Sequence, residues 1–250
     1  HHLLNYVSPE TSYTAANWAK DAEEKIVDIE SRGKTPILVG GTGFYLRTLR
    51  QPFFESPKPD ENLRNRLKSI VEEKGAERLH KILKRIDPGS AEKLFPRDYV
   101  RTMRALEVFF QTGKRMSNLQ KQRKDPPEFA GRVVIVALDP PRDELYQRIN
   151  SRTETHFESG LVDEVKALRK KGIGDDTSAL GAHGYRRVCE YLRGERTLES
   201  AVEQTKQDVR NYSKRQITWF RKETGVTWLP GFGDERETQN RLLKVLEIEE

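Results

Sequence analysis

The chain has 250 residues, of which 35% are hydrophobic and 34% charged, enough for one large domain or two smaller ones. Its formal net charge of +6 admits nucleic acids, phosphorylated molecules and acidic lipids as partners without choosing between them. A single cysteine, Cys189, excludes an internal disulfide and a cysteine-rich zinc site, and no apolar run is long enough for a membrane span. We therefore expect a cytoplasmic protein without a membrane partner.

The first fifty residues have the pattern of an α/β unit. Apolar residues three and four positions apart predict a helix that Ser12 or Thr14 caps. Pro36 to Val39 is a short apolar run, which is typical of a buried parallel strand. Gly40 to Gly43 would then form a loop, and Phe44 to Leu49 the start of the next helix. Helix, strand, glycine loop and helix in this order indicate a parallel sheet.

A helical pattern replaces this α/β pattern after a proline-rich break at Gln51 to Pro59. Apolar residues recur at helical spacing from Asp60 to Gly113. Lys114 to Lys124 follows as a basic loop with five cations and no acid. The inward positions of the last predicted helix are Val100, Met103, Leu106 and Phe110.

The sheet pattern resumes after this helical part. Val133 to Leu138 reads as a second buried strand and Val226 to Leu229 as a third, with helices between and after them. We therefore predict an α/β fold, with a core of parallel strands formed by residues 1–54 and 129–250. A mostly helical insertion of residues 55–128 would interrupt that core.

The most basic stretch of the chain lies between Lys206 and Lys222, where six cations accompany one acid, Asp208. In a helix, Lys206, Arg210 and Lys214 would line one stripe four residues apart. A cationic stripe of this kind favours a polyanion such as RNA as the partner, because solvated faces usually mix both signs of charge. Simple solvation of the helix face remains the alternative.

Two smaller motifs have both a functional and a structural interpretation. The loop Gly40 to Gly43 could bring its backbone close to an anionic ligand at a helix N-terminus, or the glycines could serve a tight turn with positive φ. Arg186 and Arg187 could grip phosphate oxygens or lie on a solvated helix surface. The histidines show no metal-ligand spacing.

Six motifs occur in an order that resembles one known family. They are HHLL, PILVGGTGFYLRTL, RTMRALEVFFQTGK, LYQRINSR with GLVDEVKAL, GYRRV and SKRQITWFRK. Together they resemble the tRNA dimethylallyltransferases, also called tRNA isopentenyltransferases. The resemblance covers essentially the whole chain.

The resemblance implies a fold related to P-loop kinases, in which the helical insertion helps to clamp the anticodon stem-loop of tRNA. It implies transfer of a dimethylallyl group from dimethylallyl diphosphate to the N6 amine of an adenosine beside the anticodon, with Mg²⁺ as cofactor. The adenosine would be flipped out of its stack, since its amine cannot be alkylated while stacked. We expect the protein to act as a monomer.

The resemblance also assigns roles to individual residues. Arg186 would neutralise the diphosphate and is the expected catalytic residue. The residues expected to bind tRNA are Thr42, Arg64, Arg101, Arg104, Arg210, Lys214, Arg215 and Gln216.

The sequence departs from the family pattern in its first residues. The family carries a phosphate-binding P-loop and a D-S-x-x-x-Y-R segment ahead of the HHL motif, and neither occurs here. The family's general base and most of its Mg²⁺ ligands would lie in those segments. We therefore expect this chain alone to transfer little. A smaller departure is His183, where the family usually has an apolar residue.

Two other functions stay open on the sequence. The chain could be a non-catalytic RNA-binding fragment. It could also be a P-loop small-molecule kinase, which would bind a nucleoside triphosphate such as ATP. The kinase interpretation explains neither the basic helix nor the basic loop.

Overall fold

A computed structural model describes residues 1–52, 54, 57–122 and 125–246. These residues form two compact units, one of His1–Leu46 with Gly131–Glu250 and one of Arg47–Ala130. The domain boundaries expected from the sequence, after residues 54 and 128, stay a prediction. Within the described residues, every helix is too short or too polar to cross a membrane.

The first unit begins with helix α1, Ala15–Ser31, at the predicted position. The Thr14 hydroxyl accepts a hydrogen bond from the Asn17 backbone N–H, while the Asn17 side chain accepts one from the Thr14 N–H. This reciprocal capping explains why the helix begins where it does. Helix α2, Gly43–Arg50, follows the glycine loop, starting in the first unit and ending in the second.

The second unit is helical, as predicted. Its helices are α3 (Glu61–Lys74), α4 (Ala76–Ile86), α5 (Pro88–Ala91), α6 (Tyr99–Thr112) and α7 (Met116–Leu119). Its core joins apolar residues of α3, α4, α5 and α6, among them Leu67, Leu83 and Leu106.

Two residues of α6 do not face inward, contrary to the prediction. Met103 and Leu106 are buried, but Val100 is 59% exposed and Phe110 is 51% exposed. The buried residues of α6 all fall between positions 102 and 108. Helical periodicity identifies the inward face, but it does not show that the first and last turns extend past the packing partners.

The predicted basic loop contains a short helix. α7 covers Met116–Leu119, and the buried carboxylate of Asp87 holds its first turn by accepting hydrogen bonds from the backbone N–H and hydroxyl of Ser117. Two cations of the predicted loop, Arg123 and Lys124, lie outside the described residues.

The first unit resumes with a 3₁₀ turn at Glu128–Arg132 that crosses the boundary between the units. Its further elements are β1 (Ile135–Asp139), α8 (Arg142–Glu158), α9 (Leu161–Lys170), α10 (Tyr185–Leu192), α11 (Leu198–Phe220), β2 (Val226–Pro230) and α12 (Arg236–Val245). The strands β1 and β2 pair in parallel, with Ile135 opposite Val226. The predicted parallel arrangement of these two strands is confirmed. A core around Val165, Val188 and Cys189 joins α9 and α10.

One predicted strand is wrong and another starts late. The run from Pro36 to Val39 is not a strand, and Val39 is 95% exposed. Val133 and Val134 lie outside β1, and Val134 is 59% exposed. A strand needs a neighbour to complete its hydrogen bonds, and among the described residues the ladder joins only β1 and β2. An apolar run does not supply that neighbour.

Candidate nucleic-acid interface

Helix α11 carries the basic stretch, but the first cation of its predicted stripe, Lys206, is not open to a ligand. The Lys206 side chain is only 10% exposed, and its Nζ lies 2.6 Å from a carboxylate oxygen of Glu154 on α8 and 2.6 Å from one of Glu203. The prediction of an open cationic stripe is therefore wrong at Lys206. Two carboxylates already neutralise this ammonium group, and helix α8 covers it.

The next two cations of the stripe also face α8. The Arg210 guanidinium donates to the side-chain oxygens of Asn150 at 2.6 Å and Gln207 at 2.8 Å. The Lys214 ammonium lies 5.8 Å from the centre of the Tyr146 ring. Positions 146, 150 and 154 are themselves four residues apart, so the stripe forms an antiparallel seam between two helices. Arg210 is half-buried in this seam, whereas Lys214 stays exposed.

Beyond the seam, α11 presents an exposed cation and a polar side chain on another side. Arg215 is exposed, and its Cζ lies 5.7 Å from the centre of the Tyr212 ring. Gln216 is half-buried beside the glycine loop. Among the predicted contact residues of this helix, Lys214 and Arg215 are therefore the cations whose side chains are exposed to solvent.

The glycine loop packs directly against α11. A Cβ atom at Gly41 would overlap the Gln216 side chain, and one at Gly43 would overlap the Trp219 ring. None of the loop's glycines has positive φ, so the interpretation as a positive-φ turn is wrong. Gly43 is required because the Trp219 ring leaves no room for a Cβ atom, whereas the end of the flexible Gln216 side chain can move away from Gly41.

The loop and the helix are also joined by a hydrogen bond that the sequence did not reveal. Thr42 Oγ1 lies 2.9 Å from Tyr212 Oη, and either hydroxyl can donate. The Tyr212 ring also contacts His183, with ring centres 5.0 Å apart. The sequence pattern assigns no role to Tyr212. The one signal in the sequence that could have pointed to Tyr212 is that it is an aromatic residue with a hydroxyl group inside a cationic segment.

A cavity of about 220 Å³ lies between α10 and α11. It is lined by residues 181–184 and by Arg186, Arg187, Asp208, Asn211 and Arg215. The Arg186 side chain is 66% exposed, with one hydrogen bond, from Nε to Glu190 at 3.2 Å. The cavity therefore combines the predicted diphosphate ligand, Arg186, with the predicted tRNA ligand Arg215.

Arg187 has a different role from its neighbour. Its side chain is 16% exposed and donates to Asp208 at 2.7 Å and to Glu190 at 2.8 Å. Burial acts to raise the pKa of Asp208, but hydrogen bonds from Arg187 and Gln204 hold that pKa below its ordinary value. The single acid of the basic stretch thus fixes Arg187, which ties α10 to α11.

In the second unit, Arg64 and Arg104 meet at one buried carboxylate. Glu107 is fully buried; Arg64 Nε donates to it at 3.0 Å, and Arg104 Nη1 donates to its other oxygen. The Asp60 backbone N–H also donates at 2.9 Å. Burial acts to raise the pKa of Glu107, but the hydrogen bonds and the two arginine charges lower it. Glu107 was not among the residues predicted from the sequence.

Arg101 differs from the other predicted contact residues of the second unit. Its side chain is 75% exposed, and its Nε lies 3.2 Å from the Asp98 carboxylate. A pair this exposed is weak and leaves the arginine free to exchange partners. Arg64 and Arg104 are less exposed, at 31% and 26% of their side chains.

A larger cavity, about 520 Å³, lies at the carboxyl ends of β1 and β2. The acids Asp139, Glu144, Glu235 and Glu237 line it with one cation, Arg241. This cavity suits an anion poorly, because the carboxylates outnumber the cation. Among the described residues, no group of three or more His, Cys, Asp or Glu side chains could hold a metal ion.

Comparison with known proteins gives concordant matches. Residues 1–223 match the family model described as IPP transferase. A protein of Geobacter sulfurreducens named tRNA dimethylallyltransferase is 42% identical over 229 residues, covering 92% of this chain and 73% of the relative.

Two solved structures extend the comparison to the fold. The full-length tRNA isopentenylpyrophosphate transferase of Bacillus halodurans is 35% identical, with a TM-score of 0.67, over 99% of this chain and 77% of that one. A eukaryotic dimethylallyltransferase acting on tRNA has a TM-score of 0.71 at 25% identity, over 98% of this chain and 65% of that one. The predicted fold class, an α/β P-loop-kinase-like core with a helical insertion, is confirmed.

Proposed function

We infer the function from this premise: the chain belongs to the IPP transferase family, whose model matches residues 1–223. It is a prenyltransferase that modifies tRNA. That family match is the observation that carries the function. The contacts around α11 support it, because exposed cations suit the phosphates of RNA.

We propose dimethylallyl diphosphate as the donor and the N6 amine of an adenosine beside the anticodon as the acceptor. The amine nitrogen would form a bond to the allylic carbon while the carbon–oxygen bond breaks and diphosphate leaves with the electron pair. The amine would then lose a proton to a general base. Negative charge grows on the departing diphosphate, so cations aimed at it lower the barrier.

We propose that Arg186 supplies this charge. Its side chain is exposed and lines the cavity between α10 and α11, where Arg215 adds a second cation. Thr42, Lys214, Arg215 and Gln216 would contact the RNA from the first unit. Arg210 would act there too, although Asn150 and Gln207 already engage its guanidinium.

In the second unit, Arg101 is the proposed RNA ligand with the most open charge. Arg64 and Arg104 would contact the RNA as well, although Glu107 already engages both guanidinium groups. The partner would be the anticodon stem-loop, whose unpaired bases suit protein contacts better than a duplex. A monomer in the cytoplasm, where tRNA is used, completes the proposal.

The described residues do not form a binding site for the expected Mg²⁺. These residues lack a cluster of three or more carboxylate, imidazole or thiolate groups, so no step proposed here depends on the metal.

The function is tested by incubating an excess of the protein with radiolabelled dimethylallyl diphosphate and an anticodon stem-loop RNA, so that a single slow turnover is detected, because we expect this chain alone to transfer little. Label should enter RNA that carries the target adenosine and should not enter a matched RNA with guanosine there. Binding of the RNA without any transfer would favour the second candidate, a non-catalytic RNA-binding module. Failure to bind the stem-loop, or preference for duplex DNA, would contradict both.

A further inference from the structure

Tyr212 contacts the glycine loop and also lies near residues that line the cavity between α10 and α11. Its hydroxyl lies 2.9 Å from the Thr42 hydroxyl, in the glycine loop. Its ring contacts His183 at 5.0 Å between ring centres and lies 5.7 Å from the Arg215 guanidinium carbon. His183 and Arg215 both line the cavity that contains Arg186.

The hydroxyl of Tyr212 is not needed to fill space. The residue is half-buried, and its hydrogen bond to Thr42 lies on the exposed side of the structure. A phenylalanine would keep the contacts of the ring with His183 and Arg215. Only the connection from the ring to the glycine loop requires the oxygen atom.

We propose that Tyr212 is a positioning residue that couples RNA binding at Thr42 to anion binding in the cavity. An anion held by Arg186 and Arg215 would restrict the motion of the Arg215 side chain. The Tyr212 ring, which lies near both Arg215 and His183, would then be restricted as well. The restricted ring would hold its hydroxyl on Thr42 and order the loop. RNA that binds an ordered loop loses less conformational entropy, so its affinity rises.

The coupling is reciprocal, because two ligands that share one linkage change each other's affinity by the same factor. RNA bound at Thr42 should therefore tighten the binding of diphosphate. The proposal rests on the proposed function, since it takes RNA and diphosphate as the two ligands. It adds that neither ligand reaches full affinity alone.

The test measures the dissociation constant of an anticodon stem-loop RNA with and without saturating inorganic diphosphate. The wild-type protein should bind the RNA about fivefold more tightly when diphosphate is present. In Tyr212→Phe this ratio should fall to about one. The variant should keep the wild-type affinity for diphosphate alone and the wild-type melting temperature.

Tyr146→Phe is the matched control. The Tyr146 hydroxyl is buried and has no hydrogen-bond partner among the described residues, so its removal should leave the ratio unchanged. If Tyr212→Phe does not fold, Thr42→Val removes the other end of the same hydrogen bond. In that variant too, the ratio of the two dissociation constants should fall to about one.

Two outcomes would overturn the coupling: a wild-type ratio of one, or an unchanged ratio in both Tyr212→Phe and Thr42→Val. A wild-type protein that binds neither RNA nor diphosphate would instead contradict the proposed function itself.

Discussion

Arg186 and Arg187 are adjacent in sequence but differ in exposure and in their partners. Arg187 is held by two carboxylates between α10 and α11, whereas Arg186 is 66% exposed at the cavity. Charge and spacing did not distinguish the two arginines, and only the family resemblance selected Arg186. The difference arises from Asp208, which approaches from another helix.

Replacing Arg186 should change catalysis without changing stability. In Arg186→Ala we expect kcat/KM for dimethylallyl diphosphate to fall about 100-fold, because a cation beside the leaving group is lost. The melting temperature should stay at the wild-type value. Steady-state kinetics and thermal unfolding measure the two effects.

Arg187→Ala is the contrasting variant. It should lower the free energy of unfolding by about 3 kcal/mol, since it leaves two largely buried carboxylates without their main partner. A stable Arg187→Ala protein together with a fully active Arg186→Ala protein would refute the division of roles.

Glu107 should make the stability of the second unit depend on pH. Its pKa is lower in the folded protein than the ordinary 4.5, so it contributes stability above pH 4.5 that is lost as the pH falls through the lowered pKa. Glu107→Gln should lower the free energy of unfolding at pH 7 by about 2 kcal/mol. The variant should also lose less stability than wild type on acidification.

Urea unfolding between pH 7 and pH 3 measures both effects. Glu61→Gln is the control, because Glu61 also pairs with Arg64 but its side chain is 74% exposed. That change should be within about 0.5 kcal/mol of wild type. An equal loss in both variants would remove the special role of the buried carboxylate.

At the scale of elements, the seam between α8 and α11 and the contact of the glycine loop with α11 decide which groups remain open. The seam takes up Lys206 and Arg210, and the loop covers Gln216 and Trp219. Packing therefore decides which of these cations and polar groups stay exposed.

The packing of the glycine loop allows two of its glycines, Gly40 and Gly43, to be compared. Gly43→Ala should lower the free energy of unfolding by about 1 to 3 kcal/mol, because the added methyl group overlaps the Trp219 ring. Gly40→Ala should cost little or nothing, since a Cβ there meets no atom within 4 Å. Thermal unfolding of both variants checks this, and equal effects would contradict the close packing.

The elements also show how far sequence reasoning reaches. Capping by Thr14, the helices of the second unit and the parallel strands follow from local pattern and are confirmed. Local pattern cannot show what lies opposite a residue. It therefore missed the α8 carboxylate that covers Lys206, and it made Pro36 to Val39 a strand without a partner.

The same limit applies to the site. Spacing and family resemblance selected Thr42 and Arg186, but Tyr212, Asp208 and Glu107 matter through contacts between distant parts of the sequence. Their roles depend on pairs of residues that periodicity does not connect.

At the scale of the molecule, the 45 lysines and arginines overstate the positive charge that is open to RNA, because several of them are already paired with carboxylates. Binding of the stem-loop should weaken linearly on a log–log plot against salt concentration. Lys214→Ala should reduce the slope by about one unit, since this ammonium is exposed.

Lys206→Met is the matched control for that slope. Two carboxylates already neutralise Lys206, so the variant should keep the wild-type slope even if its stability changes. Fluorescence anisotropy at several salt concentrations measures both slopes. Equal slopes for wild type and Lys214→Ala would exclude Lys214 from the interface.

The pairing of β1 with β2 has a consequence for how the chain folds. The helices α8 to α11 all lie between these two strands along the chain. Closing so long a loop costs entropy before the strands gain any hydrogen bond, so the helices should pack first. The bond between Thr42 and Tyr212 spans an even longer stretch of chain. The proposed RNA-binding surface should therefore assemble late in folding, and a partly folded chain would carry the positive charge of this protein before that surface has formed.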